Sequence, residues 1–195
     1  MKLTQDFLET VKDHKMTVLL ENGVYRHLRF RNPATINRYF EIVTFPGRLV
    51  IVGDMGSYVF ERLNDMFEFF RGDTVNLCYW GEKVQAVCKH SLVSAYKPEI
   101  AEKRILEVVD EYYAEEDDPE ALTEKKRILE EVEDLHFEDR SLFMAGVQDI
   151  DAVCLQDFWE NDLEEYSYQY TWCCQAIVWA IQQLDARPEN QGESK

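Results

Sequence analysis

The spacing of hydrophobic and polar residues divides the chain into an N-terminal part typical of strands and a C-terminal part typical of helices. Residues 24–30 alternate so that Leu28 and Phe30 share one side with Arg26, which is the period of a half-buried strand. Asn22-Gly23 precedes this strand and predicts a type I′ hairpin turn, because both residues tolerate positive φ. Further strands are predicted over residues 17–20, 39–44, 49–52 and 58–60. Because short turns separate these strands, we expect an antiparallel meander.

Helical spacing appears after the fifth predicted strand. Leu63, Met66 and Phe70 recur three or four residues apart, which predicts a helix over residues 61–71. We expect the apolar face of this helix to cover one side of the sheet. Two extended segments are then predicted, residues 75–79 and 83–88.

The rest of the chain has the pattern of helices. Residues 98–139 indicate two acidic helices joined at Asp117-Asp118-Pro119, where Asp118 is a typical N-cap and Pro119 suits the first turn. A short helix is expected over residues 141–147. The last helix, over residues 166–184, is apolar on nearly every side, which is typical of a buried core helix.

Together these elements predict an α+β fold. An N-terminal antiparallel β meander covered by a helix is followed by a C-terminal acidic helical half with a buried final helix. The predicted division has a sheet-plus-helix lobe at residues 1–97 and an acidic helical lobe packed on it at residues 98–186. A flexible tail is predicted at residues 187–195, which are low in apolar side chains.

Charge changes the interpretation of the helical half. The net charge is -17, yet residues 1–100 carry 13 basic and 12 acidic residues, whereas residues 101–195 carry 8 and 26. Between Glu107 and Asp139 there are 15 acidic residues against three basic ones. This asymmetry is typical either of a solvated outer face or of a surface that meets a basic partner, and both interpretations stay open here.

Cysteine usage and hydropathy bear on the compartment. The five cysteines form no CxxC pair, and the N-terminal residues lack the pattern of a signal peptide. No apolar run reaches the roughly 20 residues that cross a bilayer, and an anionic membrane surface would repel the acidic half. We therefore expect a cytoplasmic protein with reduced thiols and no membrane contact.

The sequence gives weak support to catalysis or metal binding. Cys88 and His90 share only the face of an extended strand, which is a poor basis for a nucleophile and its base. The acidic helices lack the Glu-x-x-His spacing of a di-metal carboxylate site, and Gly53-Asp54-Met55-Gly56 lacks the Lys-Ser/Thr of a phosphate loop. We predict no catalytic residue, no metal and no cofactor, so the protein is not expected to be an enzyme.

Basic residues among aromatic ones in the predicted sheet suggest a nucleic-acid platform. Such a platform binds single strands by stacking and by phosphate contacts. The predicted contact residues are Arg26, Arg29, Arg31 and Arg38. The net charge opposes direct binding of a polyanion, and these arginines can instead pair with the protein's own acidic helices or with a partner.

The acidic helices offer a second interaction surface. A helix rises about 1.5 Å per residue and duplex DNA carries one charge per about 1.7 Å, so two adjacent acidic helices approach the charge density of DNA. Such a surface can occupy a positively charged nucleic-acid channel. The predicted partner-binding residues are Glu107, Glu111, Glu115, Asp118, Glu130, Glu131 and Asp134.

Two parts of the chain resemble an uncharacterised family of tailed-phage and prophage proteins. The first comprises Gly23 to Phe30, Thr44 to Gly47 and Gly53 to Arg71, and the second is the helix from Trp172 to Ile181. The resemblance implies a phage gene product that works in the bacterial cytoplasm, and it assigns no functional residue. Phage accessory proteins commonly counter host defence, including CRISPR effectors that acidic surfaces block.

Charge and resemblance together lead to one main hypothesis. It is an anti-defence inhibitor, an anti-CRISPR protein being the leading example, whose acidic, DNA-mimicking helices bind a basic, nucleic-acid-handling host complex. The alternatives are a nucleic-acid-binding phage accessory protein that uses the arginine-rich sheet, and an uncharacterised enzyme.

Overall fold

The computed structural model describes residues 1–188 and shows the predicted α+β fold. A six-stranded antiparallel sheet lies at the N-terminus and is followed by helices, which confirms the predicted fold class. The predicted tail, residues 187–195, lies outside the described residues except for its first two. The six strands are β1 (Lys15–Asn22), β2 (Tyr25–Arg31), β3 (Phe40–Phe45), β4 (Arg48–Gly53), β5 (Gly56–Glu61) and β6 (Val84–Val87).

The sheet is a meander in which each strand pairs with the next along the chain. The predicted hairpin joins β1 to β2, but Asn22 pairs with Tyr25, so the two turn residues are Gly23 and Val24 and not Asn22 and Gly23. Gly23 has a φ of 58°, whereas neither Asn22 nor Val24 has a positive φ, so the predicted type I′ turn is wrong. In the β3–β4 turn, Gly47 has a φ of 79°. A glycine adopts such angles without the steric penalty that a Cβ atom brings.

Residues 1–188 also contain seven α-helices, two short 3-10 helices (Val153–Leu155 and Phe158–Glu160) and a small second sheet. The α-helices are α1 (Gln5–Val11), α2 (Met66–Phe70), α3 (Leu77–Gly81), α4 (Pro98–Tyr112), α5 (Pro119–Glu133), α6 (Arg140–Asp149) and α7 (Tyr168–Asp185). Strands β7 (Ser94–Tyr96) and β8 (Glu164–Tyr166) form the second sheet. Within residues 1–188, every helix is too short or too polar to span a bilayer.

The predictions for residues 61–71 and 75–79 also differ from the structure. The predicted helix over residues 61–71 is shorter, because β5 continues to Glu61 and Asp65 caps the N-terminus of α2 at Met66. Residues 75–79 were predicted as extended, but α3 begins at Leu77. The Asn76 side chain accepts a hydrogen bond from the backbone N–H of Tyr79, and this cap favours a helix over the strand that the apolar residues suggest.

The chain folds as two compact units, each with its own hydrophobic core. We call Met1–Val93 together with the chain from Tyr166 onward the sheet unit, and Ser94–Glu165 the acidic unit. The sequence-based division assigned the final helix to the acidic lobe, residues 98–186. In the structure α7 belongs to the sheet unit, because its apolar residues are buried in the same core as the sheet.

The core of the sheet unit lies between α7 and one face of the sheet. Trp172 of α7 is 1% exposed, and its ring lies 5.4 Å from Phe7 and 5.5 Å from Phe40, both edge to face. Its indole N–H donates a hydrogen bond to Thr10 Oγ1 at 3.1 Å. The final helix is therefore buried, as its sequence predicts.

The core of the acidic unit is smaller and is built from one stripe on each of its helices. Ile105 of α4, Ile128 of α5 and Phe143 of α6 are fully buried in it. Because these stripes occupy the inner faces, the acidic side chains of α4 and α5 lie on the outer faces and at the helix ends.

Candidate interaction surfaces

The acidic unit carries the whole net charge of the protein. Residues 1–93 and 166–195 contain 14 basic and 14 acidic residues and have no net charge. Residues 94–165 contain 7 basic and 24 acidic residues, a net charge of -17. The asymmetry found in the sequence thus follows the boundary between the two units.

All seven basic side chains of the acidic unit form ion pairs with carboxylates of the same unit. The pairs are Lys97–Glu165, Lys103–Glu107, Arg104–Glu107, Arg104–Glu111, Lys125–Asp110, Lys126–Glu130, Arg127–Glu124, Arg127–Glu131 and Arg140–Glu164. They involve 8 of the 24 carboxylates, which leaves 16 without an ion-pair partner among the described residues. Neutralising these carboxylates therefore requires groups from outside the unit.

On α4, the predicted contact residues Glu107 and Glu111 share one basic neighbour. The guanidinium Nη1 of Arg104 lies 3.3 Å from Glu107 and 3.6 Å from Glu111. Lys103 adds a second contact to Glu107 at 3.5 Å. These two carboxylates are thus partly neutralised by their own helix.

Glu115 and Asp118 lie outside the helix that carries Glu111, because α4 ends at Tyr112. They lie in the connection to α5, where both are exposed and neither has an ion-pair partner among the described residues. Asp118 occupies the predicted N-cap position of α5, but its side chain makes no capping hydrogen bond. Its carboxylate is therefore available to a partner.

On α5, Glu130 and Glu131 are paired, whereas Asp134 is not. Glu130 lies 3.6 Å from Lys126, and Glu131 accepts a hydrogen bond from Arg127. Asp134 follows the last residue of α5, is exposed and has no ion-pair partner among residues 1–188. Of the seven predicted contact residues, three therefore keep an unpaired carboxylate.

Eight of the 16 unpaired carboxylates of the acidic unit lie at the two ends of α5. The cluster that we call the N-terminal acidic cluster comprises Glu115, Glu116, Asp117, Asp118 and Glu120, all exposed. The C-terminal acidic cluster comprises Glu133, Asp134 and Glu138, also exposed. Since α5 has 15 residues, its length separates the two clusters by about 22 Å.

The predicted arginine platform is largely neutralised within the sheet unit. Arg26 forms a bidentate pair with Asp65, with both N···O distances 2.8 Å, and its guanidinium lies 4.6 Å from the centre of the Phe67 ring. The Arg26 hydrogen bond and the backbone N–H of Phe67 lower the pKa of Asp65. Arg26 therefore anchors α2 and is not free for a phosphate.

Arg29 has a partner as well. Its Nε donates to Glu41 at 2.7 Å, and His27 hydrogen-bonds the other oxygen of the same carboxylate. Partial burial raises the pKa of Glu41, but the hydrogen bonds from His27 and Arg29 outweigh burial and lower it overall. The partners of these arginines lie in β3 and beside α2, so the sequence-based alternative of pairing with the acidic helices does not apply to Arg26 or Arg29.

Arg31 and Arg38 differ from the other two. Neither side chain forms an ion pair with a described residue, and Arg31 is exposed at the end of β2. Backbone groups of Arg38 are fixed: its N–H donates to Asp54 Oδ2 at 2.8 Å, and its carbonyl oxygen lies 2.9 Å from His14 Nε2. The structure therefore leaves half of the predicted platform open, and its nucleic-acid role stays a prediction.

The thiols show no nucleophile–base pair in the described chain. All five cysteines are free, and burial raises the pKa of Cys173 and Cys174 in α7. A hydrogen bond with Ser91 lowers the pKa of Cys88, and its contact with His90 is to the backbone. Among residues 1–188, no cluster of His, Cys, Asp and Glu side chains has the arrangement of a metal site.

Comparison of the chain with models of protein families, with curated proteins and with solved structures gives no match. The resemblance to tailed-phage and prophage proteins therefore stays a prediction, and the functional argument depends on charge and geometry.

Proposed function

We propose that the acidic unit binds a basic, nucleic-acid-handling complex of a bacterial host, such as a CRISPR effector, and occupies a site otherwise used by nucleic acid. One observation carries the proposal. Every basic side chain of the unit is already paired, and 16 carboxylates have no ion-pair partner among the described residues. A cationic surface would relieve their mutual repulsion and bind with a high association rate.

The position of the charges supports a role in binding over a role in folding. Negative charge near a helix C-terminus opposes the helix dipole and costs stability. Even so, α5 has no basic residue in its last turn, and Glu133 and Asp134 lie at that end. Folding alone does not favour carboxylates there, whereas a basic partner would.

The two acidic clusters define the contact more narrowly than the whole helix faces do. On α4 and the middle of α5, lysines and arginines neutralise much of the charge. The N-terminal and C-terminal acidic clusters keep theirs, about 22 Å apart. That distance equals about 13 charge spacings along a DNA duplex, so the partner's basic residues should lie in two patches and not in one continuous track.

The test compares two variants with the same total charge. The acidic-unit variant carries Glu115→Lys, Asp118→Lys and Asp134→Lys. The sheet-unit variant carries Asp6→Lys, Asp13→Lys and Asp73→Lys, three exposed carboxylates without an ion pair among the described residues. In each set one aspartate lies at the start of a helix, so helix-dipole effects are matched as well.

Each variant is immobilised and exposed to nuclease-treated bacterial lysate, and bound proteins are then displaced with a short DNA duplex. We expect the wild type and the sheet-unit variant to retain a basic nucleic-acid-binding protein that the duplex displaces. The acidic-unit variant should retain much less of it. Retention that survives the acidic-unit substitutions, or that duplex DNA leaves unchanged, would refute the proposal.

A further inference from the structure

A cavity on the sheet unit lies between the outer face of the sheet and the loop that joins β2 to β3. Its volume is about 340 Å³, within the range of about 300–1,000 Å³ typical of small-ligand sites. It is lined by Arg29, Arg31, Thr35, Ile36, Tyr39 and Glu41. We call it the Arg31 cavity.

One wall of the Arg31 cavity is cationic. Arg29 and Arg31 lie two residues apart on β2, so they point to the same face about 7 Å from each other. Arg31 has no ion-pair partner among the described residues, and Arg29 uses only its Nε for Glu41. Its two terminal nitrogens bond no described residue and are free to donate. Glu41 is occupied by Arg29 and His27, which limits its repulsion of an anion.

A second wall is apolar and aromatic. Ile36 is 81% exposed and Tyr39 is 42% exposed, although both residue types gain stability from burial. A planar aromatic group placed against Tyr39 would remove both side chains from water. The cavity thus combines an aromatic contact with two guanidinium donors.

The loop that carries this wall is held in place by side-chain hydrogen bonds. Asn32 Oδ1 accepts from the N–H of Ala34 at 2.8 Å, and Thr35 Oγ1 accepts from the N–H of Asn37 at 3.1 Å. Arg38 has a φ of 56°, which is uncommon for a residue with a Cβ atom, and Asp54 and His14 fix its backbone on either side. Ile36 and Tyr39 are therefore positioned before any ligand binds, which lowers the entropic cost of binding.

We propose that the Arg31 cavity binds a nucleotide, with the base against Tyr39 and Ile36 and the phosphate on Arg31 and the free nitrogens of Arg29. A nucleotide joins a flat aromatic group to a phosphate, which matches the two walls. An acidic peptide would supply the anion without the aromatic body. The net charge of -17 disfavours long polyanions much more than a single nucleotide or a few linked ones. This inference is independent of the acidic unit.

The test is isothermal titration calorimetry of the full chain with deoxyadenosine 5′-monophosphate and, separately, with a five-nucleotide single-stranded DNA. Tighter binding of the free nucleotide would identify a nucleotide site, and tighter binding of the oligonucleotide would identify a site for a short single strand. Both outcomes support the proposal. Binding of inorganic phosphate as tight as that of the nucleotide would overturn it, because the base would then contribute nothing.

Variants locate the site. We expect Arg31→Ala to weaken nucleotide binding at least about tenfold, since it removes a charge-assisted contact. Tyr39→Ala should weaken binding by about tenfold through lost stacking, and Tyr39→Phe should retain it. Arg62→Ala is the control, because Arg62 is also exposed and has no ion-pair partner among the described residues.

All these residues lie on the surface, so far-ultraviolet circular dichroism should show unchanged folds. Absence of saturable binding by both probes would overturn the proposal. Equal weakening by Arg62→Ala and Arg31→Ala would also overturn it, because that result indicates a non-specific charge effect.

Discussion

The sheet unit and the acidic unit differ in how far their charges are balanced within each unit. The sheet unit has 14 basic and 14 acidic residues, and five of its arginines form ion pairs within it, such as Arg26 with Asp65. The acidic unit has 24 carboxylates and only 7 basic groups. Both units bury an apolar core, so neither needs an excess of charge to fold. We propose that the excess serves an interaction with another molecule.

The two tryptophans Trp172 and Trp159 give the sharpest contrast. Trp172 is 1% exposed in the sheet-unit core, whereas Trp159 of the acidic unit is 64% exposed. Trp172→Ala should lower the free energy of unfolding by about 3–5 kcal/mol, because it leaves a cavity and removes the hydrogen bond that Thr10 Oγ1 accepts. Trp159→Ala should change it by no more than about 0.5 kcal/mol. Urea denaturation measures both, and similar losses for the two variants would contradict the assigned burial.

The Arg26–Asp65 pair tests how far the sheet unit depends on internal charge neutralisation. Asp65→Ala removes both the N-cap of α2 and the partner of a guanidinium that is only 13% exposed. We expect a loss of about 2–3 kcal/mol of unfolding free energy at pH 7. A loss below about 0.5 kcal/mol would show that the pair contributes little.

The same pair predicts a pH dependence. Because the fold lowers the pKa of Asp65, its ionised form stabilises the protein above the unfolded pKa of about 3.9, and this stabilisation is lost as pH falls through the lower folded pKa. Asp65→Asn keeps a capping side chain but loses the stabilisation that depends on the ionised carboxylate. The stability difference between wild type and Asp65→Asn should therefore be largest near neutral pH and shrink below about pH 4. A constant difference across this range would argue against the ion pair as its source.

Neutralising exposed carboxylates should have the smallest effect on stability, and only the acidic unit should gain from it. Glu115→Gln, Asp118→Asn and Asp134→Asn together should raise the unfolding free energy by about 0.5–1 kcal/mol at low salt, because they relieve repulsion. The gain should fall as salt shortens the screening length. The matched set Asp6→Asn, Asp13→Asn and Asp73→Asn should give no gain. Equal gains in both sets would mean that the excess charge acts on the molecule as a whole.

Local signals in the sequence predicted much of the sheet unit. Alternation in β2 and the glycine at position 23 indicate the first hairpin, although its turn residues are Gly23 and Val24. The apolar surface of α7 required burial on all sides. The unit to which α7 belongs was not predictable in this way, since Trp172 meets Phe7 and Phe40 across long stretches of sequence. The prediction of an extended segment at residues 75–79 was wrong, because the apolar composition of these residues is common to strands and buried helices.

The sequence predicts which helices are acidic, but it does not predict which of their carboxylates are paired. Charge counting found the acidic helices, but spacing alone could not show that Glu107 and Glu111 share Arg104 whereas Glu115 and Asp118 stay unpaired. The sequence pointed to Arg29 and Arg31 as contact residues but not to the cavity that they line with Ile36 and Tyr39. The loop of the Arg31 cavity depends on contacts from His14 and Asp54, which are distant in sequence.

The most direct test of the account is the affinity of the purified partner for three proteins, measured at low and at physiological salt. They are the wild type, the acidic-unit variant and the sheet-unit variant, of which the last two carry equal net charge. We expect the acidic-unit variant to lose about 100-fold in affinity at low salt and the sheet-unit variant to stay within about threefold of wild type. Equal losses in the two variants, or no loss in either, would contradict the claim that the unpaired carboxylates around α5 form the binding surface.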